Sequence, residues 1–529
     1  MQTRGRTAKQ AGRGPSAREA PPVPAGRPDR ILAAFTTGLS AILLALTFYS
    51  LALYLPSELP TTGGEEAGAF GAWYVRAGQP LYLDWRREEA RLLIYGPLYY
   101  QLLGQTGRMM RLDRDGLLTL GRTLALLAAA GAALLIALLV RGAGGGALAS
   151  LAALLPLAWL PLTALKFFVS TRPDALALLL SIGGVAIACR PGAGPPTAAV
   201  LLMAAAFTKP TALAAAAAVL VALLLGRQWR AAALYAGLAA ALGLGAIGVL
   251  HYTTEGGFLI HLLAASEAPR DWRYALDLAT NHWQASVLGL LVIVLPVLWM
   301  RLRRAPVPTE QGSAVAAGTA RIAAVYAPIS LALAVLLSGR QGGDVNYLIE
   351  PAAATGLLLG AVLAAGQRSP APAAVRSGRL LMVLLVVVSI AGEPLTRLRA
   401  AQQEAAQARA LGPVYRGVAE WIGRQPRPLL SLEPWLAYRA GVDGFISDRI
   451  AYTSAALRHP EWDVAAQRTE ERHFAAIVLY EPVERAGRAI YQDIPYATPR
   501  LCEAIRGYYL EGGSLYGWYV YFPRAADPP

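Results

Sequence analysis

Apolar residues in this chain come in unbroken blocks, not at the 3.6-residue spacing of a half-buried helix or the alternation of a half-buried strand. Blocks occupy residues 31–55, 117–140, 147–165, 173–188, 231–250, 287–300, 322–337, 347–365 and 380–391. A helix of about 20 apolar residues crosses roughly 30 Å of hydrocarbon, so most of these blocks read as membrane spans. Residues 197–225 are apolar too, but Thr208-Lys209-Pro210-Thr211 interrupts them. One continuous helix there would hold Lys209 near mid-bilayer, at a cost of several kcal/mol unless it were paired. Two short helices turning at Lys209-Pro210 avoid that cost, and short segments are tolerated inside a protein bundle. Counted this way, the chain makes a mainly α, polytopic helix bundle of about eleven spans. Beyond residue 395 the pattern changes to charged, Tyr- and Trp-rich sequence with strand-like runs at 428–432, 474–480 and 517–522, and a helical stretch at 414–424. The expected division is a basic tail over residues 1–30, a membrane core over 31–395 with a first external loop at 56–116, and a small α/β domain over 396–529.

Composition agrees with that pattern. Of the 529 residues, 55% are hydrophobic and 16% charged, with a mean hydropathy of +0.41. The net charge of +14 would suggest nucleic acid if it formed one patch. It is instead spread over Arg4, Arg6, Lys9, Arg13, Arg18, Arg27 and Arg30 in the tail and over short loops between apolar blocks. That is the positive-inside distribution of a membrane protein. With the tail in the cytoplasm and each span reversing the side, every Arg-rich short loop falls inside. Residues 56–116 and the C-terminal domain fall outside, which places the chain in the plasma (inner) membrane. The first apolar block is too long for the core of a cleavable signal. Cys189 and Cys502 fall on opposite sides, which excludes a disulfide between them, and a CxxC motif is absent.

The threading used only basic residues and span lengths, yet it collects the remaining polar residues at the outer ends of the spans. These are Glu65 and Glu66, Lys166, Arg172 with Asp174, Lys209, His251 with Glu255, and residues 340–350. A solute transporter would place ionisable residues through the midplane instead. An outward-facing carboxylate can take the proton from an attacking hydroxyl, and nearby cations can hold a phosphate as charge develops on it. Two of only three lysines, Lys166 and Lys209, lie at this interface. Plainer roles exist for each group: lysines snorkel, Asp174 can cap a helix or pair with Arg172, and Gly63-Gly64 beside the glutamates makes an ordinary turn. His251, His261 and His282 share a loop without metal-ligand spacing. Asn346 and Glu350 stand one helical turn apart, able to face one cavity.

Gly64-Glu65-Glu66, followed by Trp73-Tyr74-Val75-Arg76-Ala77-Gly78-Gln79-Pro80-Leu81-Tyr82, resembles the first external loop of GT-C glycosyltransferases of the protein O-mannosyltransferase and aminoarabinose transferase kind. Tyr95-Gly96-Pro97-Leu98-Tyr99-Tyr100 resembles a Tyr-x-Pro-Leu-Tyr motif later in that loop. Ser170-Thr171-Arg172-Pro173-Asp174 resembles an Arg-Pro-Asp motif at the outer end of a span. Residues 343–351, with Asp344, Asn346, Tyr347 and Glu350, resemble an Asn-Tyr-x-x-Glu stretch.

The resemblance implies an inverting transferase that moves a sugar from a polyprenyl-phosphate donor to a glycan, lipid or protein hydroxyl. It implies a carboxylate base from the pair Glu65 and Glu66, with the motif favouring Glu65. Arg172, Lys209, Arg340 and Lys166 become candidates for the donor phosphate, and Tyr95, Tyr99, Asp174, Asp344, Asn346, Tyr347 and Glu350 for the cavity. The acidic pair with Asp344 offers a place for a divalent cation, as in some relatives. The rival readings are a polysaccharide ligase or polymerase and a lipid or solute transporter.

Overall fold

The computed structural model describes residues 27–86, 90–190, 194–266, 270–273, 275–276, 282–302, 312–339, 344–368, 372–491 and 494–525. Arg340 and most of the basic tail lie outside the described residues. The chain opens with helix α1 (Arg27–Ala52) and then a loop carrying α2 (Glu65–Ala77) and α3 (Pro97–Met109). α4 (Arg114–Gly142) follows, capped by Asp113, whose side chain accepts from the Gly116 amide. Two stretches, Ala147–Ala158 and Leu162–Val169, meet at a 103° bend. After them come α5 (Asp174–Ala188), α6 (Gly194–Thr208), α7 (Ala214–Leu225), α8 (Trp229–Thr253), α9 (Gly257–Ser266), α10 (Trp283–Leu302), α11 (Gly312–Ser338), α12 (Ile349–Arg368), α13 (Pro372–Ala391) and α14 (Pro394–Gly423).

Among the described residues six helices are long and apolar enough to cross a membrane, seven if the bent pair is one span, and four shorter apolar helices accompany them. Every apolar block expected from the sequence is helical. The interruption at Thr208–Thr211 is a true break, with α6 ending at Thr208 and α7 starting at Ala214. α8 leaves most of its side chains exposed, whereas the α12 span is 89% buried and forms the centre of the bundle. Apolar residues facing outward, such as Leu234, Leu244 and Val249 on α8, are what a lipid-contacting helix requires.

The C-terminal residues form a four-stranded sheet in the order β1-β2-β6-β5. β1 (Leu429–Ser431), β2 (Ala476–Leu479) and β6 (Trp518–Pro523) arise where the strand-like runs lie. β1 and β2 are parallel, with Leu430 opposite Ile477, and β6 joins β2 antiparallel, with Val520 opposite Val478. Short helices, including α15 (Pro434–Arg439) and α16 (Arg449–Arg458), make the crossover from β1 to β2. A separate two-stranded ladder pairs β3 (Ile490–Tyr491) with β4 (Ile494–Pro495). The edge strand β5 (Tyr509–Leu515) was not foreseen, because Gly512-Gly513 breaks the alternation that marks a strand; it turns into β6 at Tyr516-Gly517, both at positive φ.

This unit is not a detached cap. Trp85, Ala90 and Leu92 of the first loop share one apolar cluster with Leu430, Phe445, Tyr452, Phe474 and Ile477. Trp85 stacks edge-on against Tyr452, the ring centroids 6.1 Å apart. Polar ties reinforce the contact: Arg91 pairs with Asp443 at 2.8 Å, Arg114 donates to the carbonyls of Tyr438 and Val442, and Ser447 Oγ donates to the Leu92 carbonyl at 3.1 Å. His261 on α9 fastens the same loop, accepting from the Leu93 amide at Nδ1 and bonding the Leu83 carbonyl through Nε2. Burial pushes this imidazole down to about 4, so it is neutral across ordinary pH.

Candidate active site at one end of the helix bundle

The first loop returns to the bundle at Gly96, whose amide donates to the Thr208 carbonyl at 3.2 Å. A Cβ at position 96 would lie 2.0 Å from the Phe207 carbonyl oxygen, so only glycine lets the loop sit against the end of α6. This contact sets the first loop against the α6–α7 break.

Glu65 and Glu66 open α2 side by side, and the helix turns them in different directions. Glu65 points inward and is fully buried. Its Oε1 accepts from Arg122 Nε and the Thr171 amide, each at 2.8 Å. Its Oε2 accepts from the Thr61 amide at 2.8 Å, Thr61 Oγ1 at 3.0 Å and Arg122 Nη2 at 3.0 Å. Arg122 also donates to the carbonyls of Ser57 and Leu59, so the guanidinium rivets the first loop to α4. Burial by itself would raise the Glu65 carboxyl. The charge and hydrogen bonds of Arg122, with the Thr61 and Thr171 amides, outweigh it and hold the group below the usual carboxylate range.

Glu66 is partly open. Its carboxyl is pushed up to about 7, chiefly by burial, with the charges of Asp448 and Glu433 adding to the rise and its own amide and the Arg172 charge opposing it. The member of the pair that the motif favoured as base therefore has both carboxylate oxygens engaged by donors. The physical reason is helical rotation, about 100° per residue, which a motif match does not resolve.

Arg172 links the two halves of the site. It donates to the Gly63 carbonyl, lies 3.5 Å from Asp174 Oδ2 through Nε, and covers the rings of Phe167 and Tyr95 at 4.5 and 5.5 Å. Beyond it, Lys209 Nζ pairs with Asp174 Oδ1 at 2.6 Å, and Asn346 Nδ2 donates to the same oxygen at 2.9 Å. The lysine that the sequence placed at a break thus finds its partner across the bundle. Lys209 also lies 5.3 Å from the centre of the Tyr347 ring. Glu350 accepts from Tyr326 at 2.8 Å. Asp174, Lys209, Asn346, Tyr347 and Glu350 line one open cleft, whose other walls include Leu178, Leu333 and Leu337. Asp174 Oδ2 and Asn346 Oδ1 are buried in it without a hydrogen-bond partner among the described residues.

Other expected residues stand apart or serve the frame. Lys166 pairs with Glu404 on α14, lies 5.2 Å from the Tyr54 ring and is not among the residues that line the cleft. Asp344 caps the turn before α12 by accepting from the Val345 amide at 2.7 Å. Tyr95 and Tyr99 are buried against α2, and the Tyr99 hydroxyl has no partner among the described residues. No group of three His, Cys, Asp or Glu side chains among the described residues is arranged to hold a metal ion. Both cysteines are free and buried. Sequence reasoning missed Arg122, Glu433, Asp448 and Arg449; Arg122 alone carried a signal, being a charge within an apolar block.

No protein-family model matches the sequence, and no curated protein matches it. Solved structures do. ArnT from Cupriavidus metallidurans bound to undecaprenyl phosphate aligns at 15% identity over 94% of this chain and 99% of its own, with a TM-score of 0.54. The same enzyme in the apo state aligns at 13% identity over 94% and 99%, with a TM-score of 0.55. The archaeal oligosaccharyltransferase AglB from Archaeoglobus fulgidus, in complex with an inhibitory peptide and a dolichol-phosphate, aligns at 12% identity over 95% of this chain and 75% of its own, with a TM-score of 0.49. At these identities the likeness is one of architecture. The chain is a multi-pass helical membrane protein with the fold of ArnT.

Proposed function

We propose that this protein transfers a sugar from a polyprenyl-phosphate donor to an acceptor hydroxyl at the outer face of the membrane. The observation that carries this reading is a cleft lined by Lys209, Asp174, Asn346 and Tyr347, with Arg172 pairing with Asp174 at 3.5 Å and its charge acting on the partly open Glu66. The donor phosphate lies at headgroup depth beside Lys209 and Arg172. One of the three donors of the ammonium is held by Asp174, which orients the group for an incoming oxyanion. The acceptor oxygen forms its bond to the anomeric carbon as the bond from that carbon to the phosphate oxygen breaks. Its proton goes to Glu66, and the departing negative charge falls on the phosphate facing the two cations. A single in-line displacement inverts the anomeric centre. That ArnT, which shares the fold, was solved with undecaprenyl phosphate supports a polyprenyl-phosphate donor.

The test is transfer from labelled polyprenyl-phosphate sugars to membrane extracts. Wild type transfers label, and Glu66→Gln loses about 10²-fold or more, the usual range for a general base. Full activity in Glu66→Gln removes the base from the scheme, and no transfer by wild type from any such donor removes the function.

A further inference from the structure

Residues 170–173 run as a short strap from the bent pair to Asp174, the first residue of α5, and the strap carries Arg172. Ser170 and Thr171 are fully buried although neither belongs to a helix. The strap passes between α2 and α4 at two glycines. A Cβ on Gly68 of α2 would lie 1.9 Å from the Thr171 carbonyl oxygen, and one on Gly121 of α4 would lie 2.5 Å from Thr171 Cγ2. Glycine inside a helix costs about 0.5–1 kcal/mol relative to alanine, so both helices give up stability where the strap crosses them.

Hydrogen bonds complete the grip. The Thr171 amide donates to Glu65 Oε1 at 2.8 Å, and its hydroxyl donates to the Leu118 carbonyl at 3.2 Å. Arg122 Nε and the Thr61 amide, each at 2.8 Å, hold the Glu65 carboxylate in turn. Arg172, the next residue, is less firmly tied to its own ion pair. Its Nε stands 3.5 Å from Asp174 Oδ2 and closes no hydrogen bond among the described residues. Its guanidinium donates instead to the Gly63 carbonyl. Both anchors of Arg172, Gly63 directly and Glu65 through Thr171, therefore stand just before Glu66 in the chain. A proton acceptor and the cation that meets the departing charge serve opposite ends of one displacement, so their separation has to be held.

We propose that Glu65 and Thr171 are positioning residues of the transfer site, the Glu65 carboxylate gripping the strap so that Arg172 keeps a fixed place relative to the start of α2 and to Asp174. This rests on the transfer function proposed above. It gives the adjacent glutamates separate tasks: Glu66 takes the proton, and Glu65 fixes the cation.

The experiment uses the full chain in detergent, with undecaprenyl phosphate as the probe and native mass spectrometry to read its affinity. Thr171→Val keeps the side-chain shape and deletes the hydroxyl, whereas Thr171→Ser keeps the hydroxyl. Thr171→Val is expected to weaken lipid binding about three- to tenfold, the worth of one hydrogen bond, and to raise KM for the lipid-linked donor in parallel. Thr171→Ser is expected to bind as wild type does. Glu65→Gln, measured below its melting temperature, is expected to lose about tenfold or more. Thermal denaturation accompanies each variant, because a loss of stability alone leaves the affinity of the folded protein unchanged. Wild-type affinity in Thr171→Val or in folded Glu65→Gln, or a Ser variant as impaired as the Val variant, overturns the positioning role. A wild type that binds no undecaprenyl phosphate overturns it as well. The expected pattern of lipid binding without any sugar transfer keeps the strap's role and overturns the proposed reaction.

Discussion

Replacing each of the two adjacent glutamates by glutamine is expected to give opposite phenotypes. In Glu65→Gln the shape is kept and the charge removed. Both carboxylate oxygens accept from N–H groups, Arg122 and Thr171 on one side and Arg122 and Thr61 on the other. Whichever side the amide NH2 takes, two donors face each other, and Arg122, itself only 2% exposed, loses its counter-charge. Breaking one partner of a buried ion pair costs about 3–5 kcal/mol, because a desolvated charge is left uncompensated. Glu66→Gln removes no such partner and leaves stability near that of wild type, while transfer falls about 10²-fold or more. The assay pairs thermal denaturation of the purified protein with transfer from a labelled lipid-phosphate sugar. A Glu65→Gln variant as stable as wild type, or a Glu66→Gln variant that melts early while retaining activity, refutes the division of roles. The pH dependence carries the same sign. Glu65 has a folded pKa below its unfolded value of 4.5, so its stabilisation is present above 4.5 and is lost as pH falls through the folded value.

Transfer is expected to rise with pH through a midpoint near 7, because Glu66 is a base only when deprotonated and its carboxyl is pushed up to about 7. Asp448→Asn keeps the helix cap but removes a like charge facing Glu66, so the midpoint of the pH–rate profile moves to lower pH, with Glu433 and Arg172 still in place; an unmoved midpoint refutes the coupling. Lys209→Met is expected to weaken undecaprenyl phosphate binding about tenfold or more, since a hydrogen bond to a charged group is worth roughly 1.5–3 kcal/mol; native mass spectrometry reads the loss. Gly68→Ala would put a Cβ 1.9 Å from the Thr171 carbonyl oxygen, forcing α2 off the strap that positions Glu65. A cost of about 1–3 kcal/mol and a lower yield of folded protein are expected, measured by thermal denaturation after purification.

The sequence by itself determined where the helices lie and which of their ends carry polar groups, because a lipid-facing helix has to be apolar over its whole length. The break at Lys209-Pro210 was legible for the same reason: a lone charge inside an apolar block demands a turn or a partner, and the fold supplies both through Asp174. The sequence reading assigns Asp174, Asn346 and Tyr347 to a cavity and Lys209 to the donor phosphate, and all four line one cleft. Tertiary structure decided the rest. It turned Glu65 inward onto Arg122 and left Glu66 open, a matter of helix rotation that neighbouring identical residues do not encode. It took Lys166 away to Glu404, more than two hundred residues later, where only the packing of α14 could bring a counter-charge. It also laid Glu433, Asp448 and Arg449 over the start of α2, through apolar contacts of Trp85 and Leu92 whose partners lie beyond any local pattern. Local periodicity reports what each segment must bury, and long-range packing alone selects which segments bury it together.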